Sequence, residues 1–545
     1  MKWNSYLSLL FTISVVGLLS FQACATPTQS QIPTAQQPAY WPGDEWRTST
    51  PEEQGIDSAM ILAMLQEIQQ EALHFHSFMV IRHGYLVTEV YFPPYSQEIK
   101  HPLYSITKSV TSAMTGVAIQ EGHIESVQQH VLDFFPEIAQ ETKDKHLKEL
   151  TIEHLLTMSA GFNTNTLPDL SRPDANCDAV QYILTHSNIL CKPDANFDAV
   201  EYILTHSNIL HKPGETFFYD SGMPHVLSAI LQETSGLTLE DYTKKKLFDP
   251  LGIKDFRWQS DPQGITMGHS GLSLRPRDMA KLGYLYLYNG QWNGKQIVPA
   301  EWIQESTTGH METKGLMNAA EDDGYGYYWW VDSFGGYSAH GLGGQYVFVL
   351  PRLDMIVVFT GSFSDPDFPT PHRLLKTYLL PAAQSTQAVA ANPQVFDQLK
   401  AEITDIQNPE KPVAALPEIA RQISGREIRI TGGATAGWLE KIRFTFPGGD
   451  TYMLELVGPE NTLMLTGGLN NVFQLNMLGP EGKTIFPLRG YWQDDHTFIE
   501  EQNFDLTFDH QFSTVTYTFD GTKVFIKVES SQDFPPFQLI GELIE

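Results

Sequence analysis

The single Ser-x-x-Lys of the chain lies in Tyr104-Ser105-Ile106-Thr107-Lys108-Ser109. A serine hydroxyl is a weak nucleophile until a neighbouring base takes its proton. A lysine becomes such a base once burial or a nearby cation lowers its pKa. Three residues apart on a helix, Ser105 and Lys108 share a face. Placed at the start of that helix, the pair also gains the positive end of the helix dipole for a developing oxyanion, with the Ser105 N–H as one donor. Taken alone, the four residues fit a surface lysine on an amphipathic helix just as readily.

Other chemistries find less support. Gly268-His269-Ser270-Gly271-Leu272 lacks the glycine spacing of a nucleophile elbow. His74 and His76 are not accompanied by a His-Glu-x-x-His, so a surface pair is expected and no metal or other cofactor is implied. The three cysteines are too few for a disulfide scaffold or a Cys-rich zinc module. A net charge of −29 argues against a nucleic-acid groove and against docking on anionic lipid. The aromatic run Tyr325, Tyr327, Tyr328, Trp329 and Trp330 fits either a substrate cleft or a core strand.

The elements that would hold the pair can be read in outline. Lys2 followed by the apolar stretch Tyr6 to Phe21, then Ala23-Cys24-Ala25, reads as an export signal over residues 1–25. Cys24 makes two versions possible: simple cleavage, or a lipoprotein box with Cys24 as the lipidation site and the only link to a membrane. The Thr-, Pro- and Gln-rich residues 26–44 read as a flexible tether. Residues 45–390 then form the first domain. A hairpin is expected around Arg82-His83-Gly84-Tyr85, helices from Ser105 to about Glu305, and strands again at Tyr346 to Leu350 and Met355 to Thr360. Strands from both ends would build one sheet with helices packed around it. Residues 391–417, with several prolines, read as a linker. Residues 418–545 alternate over short segments (Lys441 to Phe446, Tyr452 to Leu456, Thr462 to Leu465, Phe504 to Phe508, Thr514 to Phe519, Lys523 to Val528) and read as an antiparallel β sandwich or barrel. The overall class is α+β.

In this setting the stretch Tyr104 to Ser112 resembles the nucleophile helix of the penicillin-recognising serine hydrolases, in their class C β-lactamase-like branch. Four further segments match in the same order: Leu155 to Phe162, Lys212 to Ser221, Gly271 to Asp278, and His340-Gly341-Leu342-Gly343-Gly344-Gln345. The resemblance implies a five-stranded antiparallel sheet flanked by helices plus a helical subdomain, with the site between them. It implies Ser105 as nucleophile, Lys108 as base and Tyr219 in the proton relay. The backbone N–H groups of Ser105 and Leu342 would form the oxyanion hole, with Ser221, His340 and Gly341 near the substrate. Two positions depart from the β-lactamase pattern: Ser221 stands where an Asn is usual, and Ala339-His340-Gly341, or its one-residue shift, replaces Lys-Thr-Gly. Both departures resemble the esterase, amidase and 6-aminohexanoate-dimer hydrolase branches. The expected function is an exported serine hydrolase working through an acyl-enzyme on a small or peptide-like ester or amide, without cofactor. The alternative is a catalytically silent domain that binds peptides or cell-wall fragments.

Residues 173–192 and 193–212 are near-identical copies, differing at Cys177/Phe197, Gln181/Glu201 and Cys191/His211. Each copy places an Asn (Asn176 or Asn196) as an N-cap before a helical apolar face, Val180-Ile183-Leu184 or Val200-Ile203-Leu204, and then a Lys-Pro stop, Lys192-Pro193 or Lys212-Pro213. One copy is enough to span Phe162 to Pro213. On a continuous helix Cys177 and Cys191 would stand roughly 21 Å apart, far beyond the about 7 Å that a disulfide allows. Deleting Pro173 to Lys192 is therefore expected to leave a folded protein; expression of the deletion only as aggregate would refute this.

Overall fold

A computed structural model of the chain describes residues 38, 40–43, 45–166, 198–206, 209–313, 322–364, 367–433, 439–459, 461–478, 484–503, 512–530 and 536–544. Cys24, Cys177, Cys191, the first repeat and the segment 504–508 lie outside these residues.

Ser58–Gln70 (α1) starts at Asp57, whose carboxylate accepts the Ala59 N–H as an N-cap. Phe75–Arg82 (β1) and Tyr85–Tyr91 (β2) form the expected hairpin. The helices Ile106–Gln120 (α2), Ala199–His206 (α3), Gly222–Ser235 (α4) and Pro276–Leu287 (α5) follow. Asp322–Tyr325 (β3), Trp330–Asp332 (β4), Gly336–Gly341 (β5), Gln345–Leu350 (β6) and Met355–Gly361 (β7) then complete one antiparallel sheet. Its order is β2-β1-β7-β6-β5-β4-β3. The sheet has seven strands rather than the five that the resemblance implied, because the aromatic run folds back as the hairpin β3–β4, with Tyr325 opposite Trp330.

Both faces of the sheet are covered, which explains why its inner strands read as continuous apolar runs. Met79, Ile81, Val347, Val349, Ile356 and Val358 face the core shared with α2 and α5. Phe78, Val80, Phe348, Val357 and Phe359 face a second core built with α1. That second core also takes Leu399 and Ile406 from Pro393–Gln407 (α6). The stretch expected as a linker therefore contains a docked helix: Pro393 is tolerated in its first turn, and Leu399 and Ile406 point at α1. The tether expectation is corrected at its end as well. Tyr40 donates its hydroxyl proton to the Gly84 carbonyl (2.6 Å), and Trp41 meets Tyr284, Tyr288 and Trp292 ring to ring. The packed body thus begins before residue 45. In the second repeat, α3 buries Val200, Ile203 and Leu204 as its spacing predicts.

The C-terminal strands are Glu427–Gly433 (β8), Lys441–Thr445 (β9), Thr451–Val457 (β10), Thr462–Gly468 (β11), Gln474–Leu478 (β12), Thr484–Trp492 (β13), Thr497–Asn503 (β14), Phe512–Asp520 (β15), Lys523–Ser530 (β16) and Phe537–Leu543 (β17). Between sandwich and barrel, the structure has the barrel. Nine strands run β11-β10-β9-β8-β17-β16-β15-β14-β13, and Gly468 pairs with Arg489 to close the ring. β12 hangs on β13, and its Asn476 side chain bonds both the N–H and the carbonyl of Thr466 on β11. Closure removes the exposed edges that a short open sheet would present.

Inside the barrel sits a carboxylate. Glu500 is fully buried and accepts hydroxyl protons from Tyr452 and Tyr517, each at 2.7 Å. Burial pushes its pKa up to about 7 against the pull of the two hydroxyls. The folded barrel therefore holds a proton that the unfolded chain releases from pH 4.5 upward, and its stability falls as pH rises toward about 7. Glu500→Gln should abolish this fall: the variant's gain in barrel melting temperature over wild type should be small near pH 4.5 and grow to neutrality. A gain independent of pH would contradict the assignment.

Candidate active site

α2 is buried almost all round, from Ile106 through Ala118. Its polar residues other than Lys108 are small, and two of them bond the neighbouring loops: Ser109 donates to the Tyr328 carbonyl (2.7 Å) and Thr111 to the Gly268 carbonyl (2.8 Å). A Cβ on Gly116 would stand 2.3 Å from the Trp302 ring, so only glycine permits that approach. The helix is thereby fixed against the two loops that complete the site.

Ser105 sits at the N-cap of α2. The preceding Tyr104 is held at φ 46°, a left-handed conformation costly for a non-glycine residue. Its neighbours impose that conformation. The Leu103 N–H donates to Leu272 O (2.8 Å), and His101-Pro102 pairs with Ser273-Leu274. On the other side a Cβ on Gly341 would lie 2.2 Å from Leu103 O, so β5 presses on the same short stretch. The glycine there is a packing requirement of the turn that carries Ser105.

Lys108 Nζ lies 2.8 Å from Ser105 Oγ and donates to His269 O at 3.1 Å. The side chain is 1% exposed. Burial pulls its pKa down to about 7, with the Asp220 carboxylate pulling the other way. The amine is thus half neutral at physiological pH, the condition a base requires. Tyr219 places its ring 4.9 Å from Nζ. Burial pushes the phenol up to about 12, and a hydrogen bond with Ser105 lowers it in part. Tyr219 thus remains a proton donor at neutral pH. Ser105, Lys108 and Tyr219 are brought together as one constellation.

Tyr219 is positioned from two sides. Its ring stacks on Trp330 (5.9 Å between centroids, 23°). The residues around it hang on Met158, itself left-handed at φ 55°: the Phe218 N–H donates to Met158 O, and the Asp220 N–H meets Met158 Sδ. The segment Leu155 to Phe162 therefore acts as a brace for Tyr219.

The other expected site residues fall nearby with different duties. Ser221 stands at the N-cap position of α4 without a side-chain cap bond and gives its N–H to Asn165 Oδ1 (3.2 Å). Leu342 is 54% exposed, just past Gly341, and its carbonyl is held by Gln345 Nε2 (3.1 Å). His340 stands behind Trp330, stacked on it at 5.2 Å and 11°. Ser338 spends its single proton on Asp332 Oδ2 (2.9 Å), so at 2.7 Å it accepts from His340 Nε2–H. Burial, then the neighbouring His372, holds His340 well below its usual pKa. The His340 ring is thus neutral. Trp330 of the aromatic run packs on Tyr219, while Asp220, Asn165 and Thr166 join the site unannounced: Asp220 lies within the segment Lys212 to Ser221, and Asn165 and Thr166 carry no signal in the sequence. Among the described residues no group of three or more His, Cys, Asp and Glu could hold a metal ion.

The family model described as Beta-lactamase matches residues 66–378. A 6-aminohexanoate-dimer hydrolase of Paenarthrobacter ureafaciens is 25% identical over 352 residues, covering 63% of this chain and 86% of the relative. Among solved structures, the octameric penicillin-binding protein homologue from Pyrococcus abyssi is 19% identical with a TM-score of 0.46, covering 88% of this chain and 99% of its own. A family VIII carboxylesterase is 15% identical with a TM-score of 0.46, covering 62% and 99%.

Keeping Lys108 buried costs stability. Its folded-state pKa of about 7 lies below the ordinary 10.5, so the penalty is full below pH 7 and fades toward pH 10.5. Lys108→Met should therefore melt higher than wild type at pH 6, with the gap narrowing by pH 9. A lower melting temperature at both would show that the amine's two contacts outweigh its desolvation.

Proposed function

The chain belongs to the β-lactamase family, and from that premise we propose that it is an exported serine hydrolase acting on esters or amides through an acyl-enzyme. The observation that carries the reading is the buried Lys108 amine 2.8 Å from the Ser105 hydroxyl. In this mechanism Ser105 Oγ attacks the carbonyl carbon as its proton passes to Lys108 Nζ. The carbonyl oxygen takes the negative charge and is held by the N–H groups of Ser105 and Leu342. Tyr219 hands a proton to the departing oxygen or nitrogen and recovers one from Lys108. Water then attacks the acyl carbon with the same groups in reverse, releasing the acid and restoring Ser105.

The substrate class follows from what the site lacks. The neutral His340, tied to Ser338 and set behind Trp330, offers no cation to a β-lactam carboxylate. Ser221 reaches less far than an Asn toward a substrate amide. The relative named as a 6-aminohexanoate-dimer hydrolase supports amides beside esters. Export rests on the segment Lys2 to Ala25, with Cys24 as the residue that would carry a lipid.

Ser105→Ala should abolish hydrolysis of p-nitrophenyl esters and labelling by a fluorophosphonate. Lys108→Ala and Tyr219→Phe should each lower kcat at least about a hundredfold in a protein with native circular dichroism. Penicillins and cephalosporins should be poorer substrates than short-chain esters by kcat/KM. A Ser105→Ala enzyme with wild-type turnover would remove the mechanism, and full labelling of it would support a different nucleophile.

A further inference from the structure

The hairpin β3–β4 sets two aromatic rings opposite one another, Tyr325 and Trp330, in T-shaped contact at 4.8 Å. Two further rings pack against this pair. Tyr219 stacks on Trp330 at 5.9 Å and meets Tyr325 edge-on at 6.3 Å. Phe217 meets the same two rings, Tyr325 at 5.1 Å and Trp330 at 6.3 Å, both edge-on. Residues two apart in the chain that share both partners stand side by side, so Phe217 and Tyr219 form one aromatic wall. The Phe218 N–H, bonded to Met158 O at 2.8 Å, holds the backbone between them. The wall is therefore fixed before any substrate arrives.

Tyr219 gives that wall an occupant. As the acyl-enzyme forms, the bond from the carbonyl carbon to the departing oxygen or nitrogen breaks. Tyr219 gives its phenolic proton to that atom and takes one back from Lys108, and the alcohol or amine leaves whole. The departing atom must therefore come within hydrogen-bond reach of the Tyr219 hydroxyl. The next ring along the wall is that of Phe217. We propose that Phe217 is a specificity-determining residue whose ring, beside Tyr219 and backed by Tyr325 and Trp330, forms a subsite for the leaving group and selects aromatic or bulky apolar alcohols and amines. This rests on the reading of Ser105 as nucleophile and Tyr219 as proton donor, and it names the side of the substrate that the reading leaves open.

Burial separates the two layers of this cluster. Tyr325 and Trp330 are 1% and 6% exposed, as rings that only pack should be. Phe217 and Tyr219 each keep part of their surface open to solvent. For Tyr219 the opening is where a reacting group must enter; for Phe217, which carries no polar atom on its ring, it leaves apolar surface in water beside that entrance. A flat apolar substituent covers such surface and gains offset or edge-to-face contact with the ring. Little ordering is needed on the protein side, because the backing rings are already locked.

The test compares kcat/KM for methyl and benzyl butyrate, which differ in leaving group, and for methyl acetate and methyl hexanoate, which differ in acyl group. Methanol and benzyl alcohol are leaving groups of similar basicity, so the benzyl-to-methyl ratio reads binding. Wild type should prefer the benzyl ester. Phe217→Ala should lower the benzyl-to-methyl ratio about fivefold, with the hexanoate-to-acetate ratio as in wild type. Phe217→Leu keeps apolar area without the flat ring; its ratio should fall between the two, and it covers a folding failure of the alanine variant. A wild type without the benzyl preference overturns the proposal. So does a folded variant in which the benzyl-to-methyl ratio stays in place or both ratios move together, which leaves Phe217 a packing residue. Loss of fold in both variants overturns it too. A wild type labelled at Ser105 by a fluorophosphonate that hydrolyses none of these esters removes the subsite and spares the nucleophile. Absence of labelling is a separate outcome: it overturns the nucleophile assignment.

Discussion

Keeping one primary amine out of water is the constraint on which the rest of the site depends. Desolvation is what lowers the Lys108 pKa, so every element around Lys108 must close on it. α2 achieves this by burying all its faces, which forces small hydroxyl residues and Gly116 into positions where an ordinary amphipathic helix would carry long polar ones. The same hydroxyls bind the carbonyls of Gly268 and Tyr328, and the adjacent His269 carbonyl is thereby brought to Nζ. The left-handed residues Tyr104, Met158 and Tyr328 sit where the loops bend to complete this enclosure. Each is over-determined by contacts on both sides, which is how strain of this kind persists.

What the sequence disclosed and what it concealed divide along a physical line. Local chemistry and short-range pattern were legible: the Ser105–Lys108 spacing, the β1–β2 hairpin, the strands β6 and β7, and the apolar face of α3 within the repeat. Features decided by a distant partner were not. The proline-bearing stretch after residue 391 looks like a linker until α1 is there to receive Leu399 and Ile406. Tyr40 and Trp41 look like tether residues until α5 offers Tyr284 and Tyr288. The resemblance sets His340 near the substrate, and only the pleat of β5 shows that it shares a face with Ser338 and Trp330. The roles of Asn165 and Thr166 arise from hydrogen bonds more than fifty residues long, for which no spacing rule exists.

The family motifs gain a mechanical meaning from the same geometry. Leu155 to Phe162 holds the backbone of Tyr219 through Met158, and Gly271 to Asp278 holds the approach to Ser105 through Leu272 and the Arg277 bridges to Glu45 and Glu89. Gly341 lets β5 lie against Leu103, and Gln345 fixes the carbonyl of Leu342 beyond it. Three of the five matching segments thus serve the placement of the two side chains, Ser105 and Tyr219, that the other two carry. A chain can lose the Asn and the Lys of the β-lactamase pattern and retain this scaffold, because those two residues address the substrate and leave the scaffold's contacts intact. Under the proposed mechanism the substrate class is then free to change while the geometry of Ser105, Lys108 and Tyr219 is kept.

Two buried groups in this molecule are pushed by desolvation toward the same pKa of about 7, Lys108 and Glu500, and of the two Lys108 stands in the proposed active site. The difference lies in their partners. Lys108 faces a serine hydroxyl whose proton it can take and whose oxygen can then attack, with Tyr219 partly exposed beside it. Glu500 faces two phenols whose pKa values lie far above its own, so no proton moves usefully between them, and the surrounding side chains form a closed apolar core. A shifted pKa marks where burial has been imposed on an ionisable group. Whether that burial serves chemistry is decided by the atom within hydrogen-bond reach: a nucleophile beside a base makes a catalyst, and a carboxyl between two tyrosines makes a cross-link inside a barrel.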